Sequence, residues 1–224
     1  MMISAIQCEL KYKDGTQALK PFDLEIGTGE VVVILGPSGS GKTSLLKLFL
    51  GIEVPSNGNI SVLDQPMIAG QEQEIRKLRT KLGPVFQEFR LIEGRSVLDN
   101  VMIGLRFLDF THEQMISIAT EYIMRVGLGH KRDHTVDKLS WGECQRVAIA
   151  RAVARKPKLI IADEPTGNLD QENAINVLNL LASFADQQTS VVITTHAAHL
   201  VKSFHSTIRL NMDEGKFIIE RSEG

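Results

Sequence analysis

Eight consecutive residues, Gly36-Pro37-Ser38-Gly39-Ser40-Gly41-Lys42-Thr43, concentrate more chemistry than any other stretch of the chain. Their spacing is G-x-x-x-x-G-K-T, and the residue types say what such a loop does. Glycines let successive backbone N–H groups curl around an anion without Cβ obstruction. A helix starting at the end of the loop adds unpaired N–H groups and the positive end of its dipole. Lys42 is a mobile point charge able to reach β- and γ-phosphates. The Thr43 hydroxyl is a hard oxygen ligand suited to Mg2+. The alternative, a Gly/Ser-rich turn with a chance lysine, is disfavoured by context: such a loop must join a strand to a helix. Val31–Leu35 is an apolar, β-branched run of the kind that forms a buried parallel strand, and Ser44 to Leu50 reads as an apolar helix. A nucleoside triphosphate is the expected ligand.

Two further stretches carry chemistry. Leu159-Ile160-Ile161-Ala162 is a short apolar strand that delivers Asp163 and Glu164 at its C-terminal end, where open parallel sheets bind ligands. Asp163 is placed to hold Mg2+ through water, and Glu164 to polarise an attacking water. In Leu139-Ser140-Trp141-Gly142-Glu143, a hydroxyl and a glycine precede a strong helix, forming a second helix start suited to an anion. The chain therefore has two phosphate-type sites, one more than a single nucleotide obviously requires.

The elements that must position these residues follow from pattern. The chain has 224 residues, 43% hydrophobic and 23% charged, with net charge −2. That is one large domain or two closely joined subdomains, and the charge excludes a nucleic-acid binder that works by bulk positive charge. Cys8 and Cys144 are far apart without metal spacing and read as packing residues in a reducing compartment. No apolar run reaches membrane-spanning length, and the N-terminus alternates like a strand instead of resembling a signal peptide. Strands are expected at 3–12, 22–26, 31–35, 60–63, 85–87, 159–162 and 191–194, with a final hairpin at 207–220. Helices are expected at 44–50, 71–81, 98–126 with a break near Asp109, 142–155, 171–185 and 197–203. Thr111 and Gln114 have capping-box spacing. Strands ahead of the phosphate loop suggest an antiparallel layer beside a mostly parallel α/β sheet.

Together these motifs resemble, in order and over essentially the whole chain, the nucleotide-binding subunit of an ATP-binding cassette (ABC) transporter. Gly36–Thr43 resembles the Walker A loop, with Ser44 following it. Gln87 resembles the Q-loop glutamine, and Leu139–Glu143 the signature motif, usually LSGGQ. Leu159–Glu164 resembles Walker B with its catalytic glutamate. Asn168-Leu169-Asp170 resembles the D-loop, and His196, after an apolar strand, the switch histidine. Tyr12 is placed like the aromatic residue that stacks on adenine.

The resemblance implies a phosphate-loop α/β fold with an N-terminal antiparallel layer and a helical subdomain at about 88–155, inserted between core segments 1–87 and 156–224. It implies ATP and Mg2+ as ligands. Glu164, His196 and Gln87 would act in hydrolysis, and Thr43, Gln87 and Asp163 would hold the metal. Ser140, Gly142, Glu143 and Asp170 would meet the nucleotide of a second copy packed head to tail, which accounts for the surplus anion site. Hydrolysis would drive an integral membrane permease docked near Gln87–Ile92, at the cytoplasmic face of the bacterial inner membrane. Trp141 departs from the usual glycine and Glu143 from glutamine. A large indole there either clashes at the dimer face or adds apolar contact. The strings Phe86–Ile92, Ser96–Val101 and Asp163–Asp170 resemble the branch with lipoprotein-release, macrolide-efflux and cell-division subunits, although phosphonate and amino-acid importers share parts of them. A soluble ABC ATPase acting on nucleic acid or ribosomes is the competing function. It usually carries two cassettes or a long insertion, and nucleic acid is not the expected partner here.

Overall fold

The loop at 36–43, Gln87, Asp163-Glu164 and His196 lie at one end of one sheet in the computed structural model, which describes residues 1–201 and 204–222. The chain runs through β1 (Ile3–Lys11), β2 (Gln17–Ile26), β3 (Val31–Leu35), α1 (Lys42–Phe49), β4 (Asn57–Val62), β5 (Gln65–Pro66), α2 (Glu72–Arg79) and β6 (Leu82–Val85). It continues with α3 (Val97–Ile103), α4 (His112–Arg125), α5 (Trp141–Val153), β7 (Leu159–Ala162), α6 (Gln171–Ala182), β8 (Ser190–Thr195), α7 (Ala198–Val201), β9 (Ile208–Asp213) and β10 (Lys216–Arg221). The last two residues of the helix expected at 197–203 lie outside the described residues.

Two sheets form. The first is antiparallel, in the order β2-β1-β4-β5; the second has the order β10-β9-β3-β8-β7-β6 and is parallel except for the β9–β10 hairpin. The fold is thus the α/β architecture with a separate antiparallel layer that the motifs implied. Period-two alternation explains why the central strands are apolar throughout. On β3, Val32 and Ile34 face a core shared with the antiparallel sheet and α1, while Val33 faces the core built with α3 to α6. On β7, Leu159 and Ile161 face the first core, and Ile160 and Ala162 the second. Cys8 lies in the first core, and burial pushes its thiol up to about 12, so it stays protonated as an inert packing group.

Several boundaries differ from expectation. β2 begins at Gln17 rather than residue 22, and β6 occupies Leu82–Val85 rather than 85–87. Each holds a proline, Pro21 and Pro84, that argues against a strand, yet each is the last strand of its sheet, where a missing N–H costs nothing. Asn57-Gly58 is not a turn before β4 but its first two residues. The expected helix at 98–126 is two helices, separated by residues 104–111. The second starts at the Thr111–Gln114 capping box, whose two reciprocal bonds are both present. Ser140 and Glu143 form the same box at the start of α5.

Candidate functional site

The parallel register brings the site together. Leu35 pairs with Thr195, Ala162 with Ile193, and Val85 with Ala162. The residues that follow these strand ends, namely the 36–43 loop, Asp163-Glu164, His196 and Gln87, therefore emerge side by side. A cleft of about 650 Å3 lies there, with Tyr12, Ser38, Lys42, Thr43, Gln87, Glu164 and His196 in its wall.

Gly41 is the residue before α1, at φ 105°, a left-handed conformation that glycine adopts without penalty. A Cβ there would lie 2.7 Å from the Ala18 carbonyl oxygen, so the loop can bend only because this residue has no side chain. The β9–β10 turn braces the same loop: the Gly215 N–H donates to the Ser40 carbonyl at 3.0 Å, and the Lys20 N–H to the Gly215 carbonyl at 2.9 Å. The final hairpin, which the sequence shows only as a hairpin, thus supports the phosphate loop.

Lys42 is only 6% exposed. Its ammonium donates to the carbonyls of Gly36 at 2.8 Å and Pro37 at 3.0 Å and faces Glu164 Oε1 at 3.3 Å. Two N–H donors are bonded to loop carbonyls and hold the ammonium in place, while its contact to Glu164 is an ion pair that a phosphate oxygen could replace. Glu164 sits at φ 45°, uncommon for a residue with a side chain. Its other oxygen, Oε2, accepts from the His196 backbone N–H at 3.2 Å and pairs with His196 Nδ1 at 2.9 Å. A carboxylate oxygen can only accept in such a pair, which assigns the donor role to Nδ1. Thr43 Oγ1 donates to Asp163 Oδ2 at 3.1 Å. A hydroxyl and a carboxylate at that separation are a hard oxygen pair that fits Mg2+.

Thr194 is a residue the sequence does not single out. Its buried hydroxyl donates to Asp163 Oδ1 at 2.8 Å and accepts from the Glu164 N–H at 2.9 Å. One side chain so holds both carboxylate residues in place, and the only signal for it is a polar β-branched residue ending an apolar strand. At the mouth, the Tyr12 hydroxyl is 3.0 Å from Ser44 Oγ, and Lys47 Nζ lies 5.5 Å from the Tyr12 ring centroid.

The second anion motif lies elsewhere. Ser140, Gly142 and Glu143 do not line this cleft. Ser140 caps α5, accepting from the Glu143 N–H at 3.3 Å, while Glu143 Oε2 accepts from the Ser140 N–H at 2.8 Å. Lys131 Nζ stands 2.6 Å from Glu143 Oε1, and that hydrogen bond holds the Glu143 carboxyl below its ordinary range. Asp170 caps α6 through the Asn173 N–H at 2.9 Å. Trp141 folds back onto its own chain, with its ring 4.6 Å from that of Phe89. Among the described residues no cluster of His, Cys, Asp and Glu could by itself hold a metal ion, and no helix is long and apolar enough to cross a membrane.

A glycine loop between a parallel strand and a helix, with a carboxylate pair at the end of a nearby strand, defines a phosphate-loop nucleotide-binding protein. Residues 19–167 match the family described as ABC transporter. The chain is 35% identical to the cell division ATP-binding protein FtsE of Mycobacterium tuberculosis, covering 100% of this chain and 97% of that protein. It is 39% identical to the phosphonates import ATP-binding protein PhnC of Thiobacillus denitrificans, covering 94% and 83%. Among solved structures it superposes on the dimeric, post-hydrolysis ATP-binding cassette MJ0796 bound to ADP and Pi, with TM-score 0.87, 31% identity and 100% of both chains covered. The chain belongs to the ABC transporter family, as an ATP-binding and ATP-hydrolysing subunit.

Proposed function

We propose that this chain is the energising subunit of a membrane-bound ABC system, and that it hydrolyses ATP at sites completed by a second copy. The observation that carries the reading is the separation of the two anion motifs. Lys42, Thr43, Glu164, Gln87 and His196 line one cleft, with Asp163 bonded to Thr43, whereas Ser140, Gly142 and Glu143 line no part of it.

In the first half-site, the loop N–H groups and Lys42 receive the β- and γ-phosphates, and Tyr12 stacks on the adenine. Thr43 and Asp163, with Gln87 beside them, are the residues that would hold Mg2+, which neutralises charge on the phosphate oxygens when bound. Glu164 orients and polarises the attacking water, and His196 holds the Glu164 carboxylate through Nδ1–H; only as an imidazolium, with both ring nitrogens protonated, does it also donate from Nε2 toward the γ-phosphate. Transition-state charge falls on Lys42 and the loop, which are already fixed by their own hydrogen bonds. From the second copy, the Ser140 hydroxyl and the N–H groups at Gly142 and Glu143 complete the shell, with Asp170 at the seam. FtsE and MJ0796 support this arrangement, the first by name as an ATP-binding protein of cell division and the second as a dimer.

A membrane permease is the proposed partner, which places the protein peripherally at the cytoplasmic face of the bacterial cell membrane. Its docking face includes Gln87–Ile92. There Phe107, 85% exposed, and Phe86, Ile103 and Arg90 line a cavity of about 300 Å3, and Ile92 is exposed alongside. An apolar hollow rimmed by arginines suits a short amphipathic segment. We further propose that residues at about 88–155 move as a helical unit against 1–87 and 156–224.

Glu164→Gln tests the hydrolytic assignment. It should lower turnover by at least about 100-fold while retaining ATP, and the protein should run as a dimer in saturating MgATP on light scattering. A variant that hydrolyses ATP at the wild-type rate, or remains a monomer under those conditions, sinks the proposal.

A further inference from the structure

We infer that Trp141 is a positioning residue: its indole straps the Gln87 loop and the Glu164 turn to the start of α5, so that both move with that helix. This rests on the reading of Glu164 as the carboxylate that serves hydrolysis.

Three contacts carry the inference. The indole Nε1–H donates to the Gly167 carbonyl at 3.0 Å. The Gly167 N–H in turn donates to the Glu164 carbonyl at 3.1 Å, closing the turn that begins at Glu164. On its other side the indole lies edge-to-face on Phe89, with centroids 4.6 Å apart and planes at 61°, a geometry in which aromatic pairs attract. Phe89 follows Gln87 by two residues and belongs to a strained pair, at φ 45° with Arg90 at φ 51°. Left-handed conformations in two successive residues persist only where surrounding contacts hold them. α5 supplies those contacts at both ends. Arg151, ten residues after Trp141, donates to the carbonyls of Phe89 and Arg90, and Trp141 packs on the Phe89 ring.

The consequence follows from the arrangement. A displacement of the Gln87 loop reaches Phe89 and then the indole. From the indole it passes through one hydrogen bond to Gly167 and a second to the Glu164 backbone. Glycine at position 141, the usual residue of the signature, has neither ring nor indole N–H and cannot make this link. Trp141 is 47% exposed and is committed to contacts within its own chain, so the choice between a clash at the dimer face and added apolar contact there is replaced by a third role.

Trp141 is also the single tryptophan of the chain, so its fluorescence reports its surroundings directly. The test uses the full chain. Trp141→Phe keeps a ring against Phe89 and removes the N–H; it should lower kcat about five-fold with KM for ATP unchanged, and lower the melting temperature by no more than the roughly 2–4 °C that one hydrogen bond is worth. Phe89→Leu keeps apolar volume and removes the edge-to-face partner; it should lower kcat similarly, shift tryptophan emission to the red and increase quenching by acrylamide. Wild-type kcat in Trp141→Phe overturns the inference. So does a loss of kcat accompanied by a fall in melting temperature well beyond what one hydrogen bond is worth, which assigns the indole to general packing, and so does unchanged emission in Phe89→Leu. Glu164→Gln separates the two readings: if it hydrolyses ATP normally, the assignment of Glu164 fails, whereas if it is inactive and Trp141→Phe is normal, only the strap fails.

Discussion

Glu143 poses a problem of charge, because it puts a carboxylate at a helix start proposed to receive a phosphate. The structure answers it locally. One oxygen is taken by the Ser140 N–H and the other by Lys131 at 2.6 Å, so the pair presents little net charge to an incoming anion. Removing the lysine exposes the carboxylate. Lys131→Met should raise KM for ATP by about five-fold, since a partly exposed ion pair is worth roughly 1 kcal/mol, and should change kcat less. Adding Glu143→Gln to that variant should restore KM, because the amide keeps a hydrogen-bond acceptor without the charge. Steady-state ATPase titrations of the two single variants and the double variant decide it. If the double variant is no better than Lys131→Met alone, the lysine is not compensating the carboxylate.

At the scale of elements, β1 and β4 show how a local rule and a global one meet. Their pairing has a register shift between Ile6 and Glu9, with Gln7 at φ 45° and its N–H bonded to the Asp23 carboxylate at 2.7 Å. Gly58, at φ 71°, passes so close that a Cβ would lie 1.9 Å from the Gln7 carbonyl oxygen. Gly58→Ala should therefore cost roughly 2–4 kcal/mol, as both backbone strain and overlap act. Urea unfolding should show a lower midpoint at an unchanged slope, and a shift near zero would mean that the bulge relaxes freely. The same Gly58 marks where sequence pattern misleads, for Asn-Gly favours a turn and here it lies in a strand. Pro21 and Pro84 mislead likewise, because whether a strand is at an edge is a property of the sheet and not of the segment. By contrast Leu159–Ala162 and Val31–Leu35 are legible to the residue, since strands buried on both faces are apolar throughout. The site divides in the same manner. Lys42, Asp163, Glu164 and His196 are readable because each follows an apolar strand. Thr194 and the bracing turn at Gly215 are not, because their roles exist only once separate strands pair.

For the whole molecule the central claim is that a working site spans two copies, and this is open to a test of mixing. Lys42→Ala disables the loop and leaves the α5 start intact. Gly142→Asp does the reverse, placing a negative charge where phosphate is to arrive. Its fold should survive, as a Cβ at 142 meets nothing closer than Leu169 Cδ2 at 3.6 Å and an acidic residue in the first turn of a helix is favourable. Each protein alone forms pairs in which both sites are defective, so each should be nearly inactive. A mixed pair combines the intact loop of the Gly142→Asp chain with the intact α5 start of the Lys42→Ala chain, so one of its two sites is whole. Random assortment makes half the pairs mixed, and equimolar mixing should restore roughly a quarter of wild-type turnover if the sites work independently. If they must fire together, mixing should restore nothing while scattering still detects mixed dimers in MgATP. Sites complete within a single chain predict a different pattern: Gly142→Asp would be active by itself, and mixing would only average the two rates.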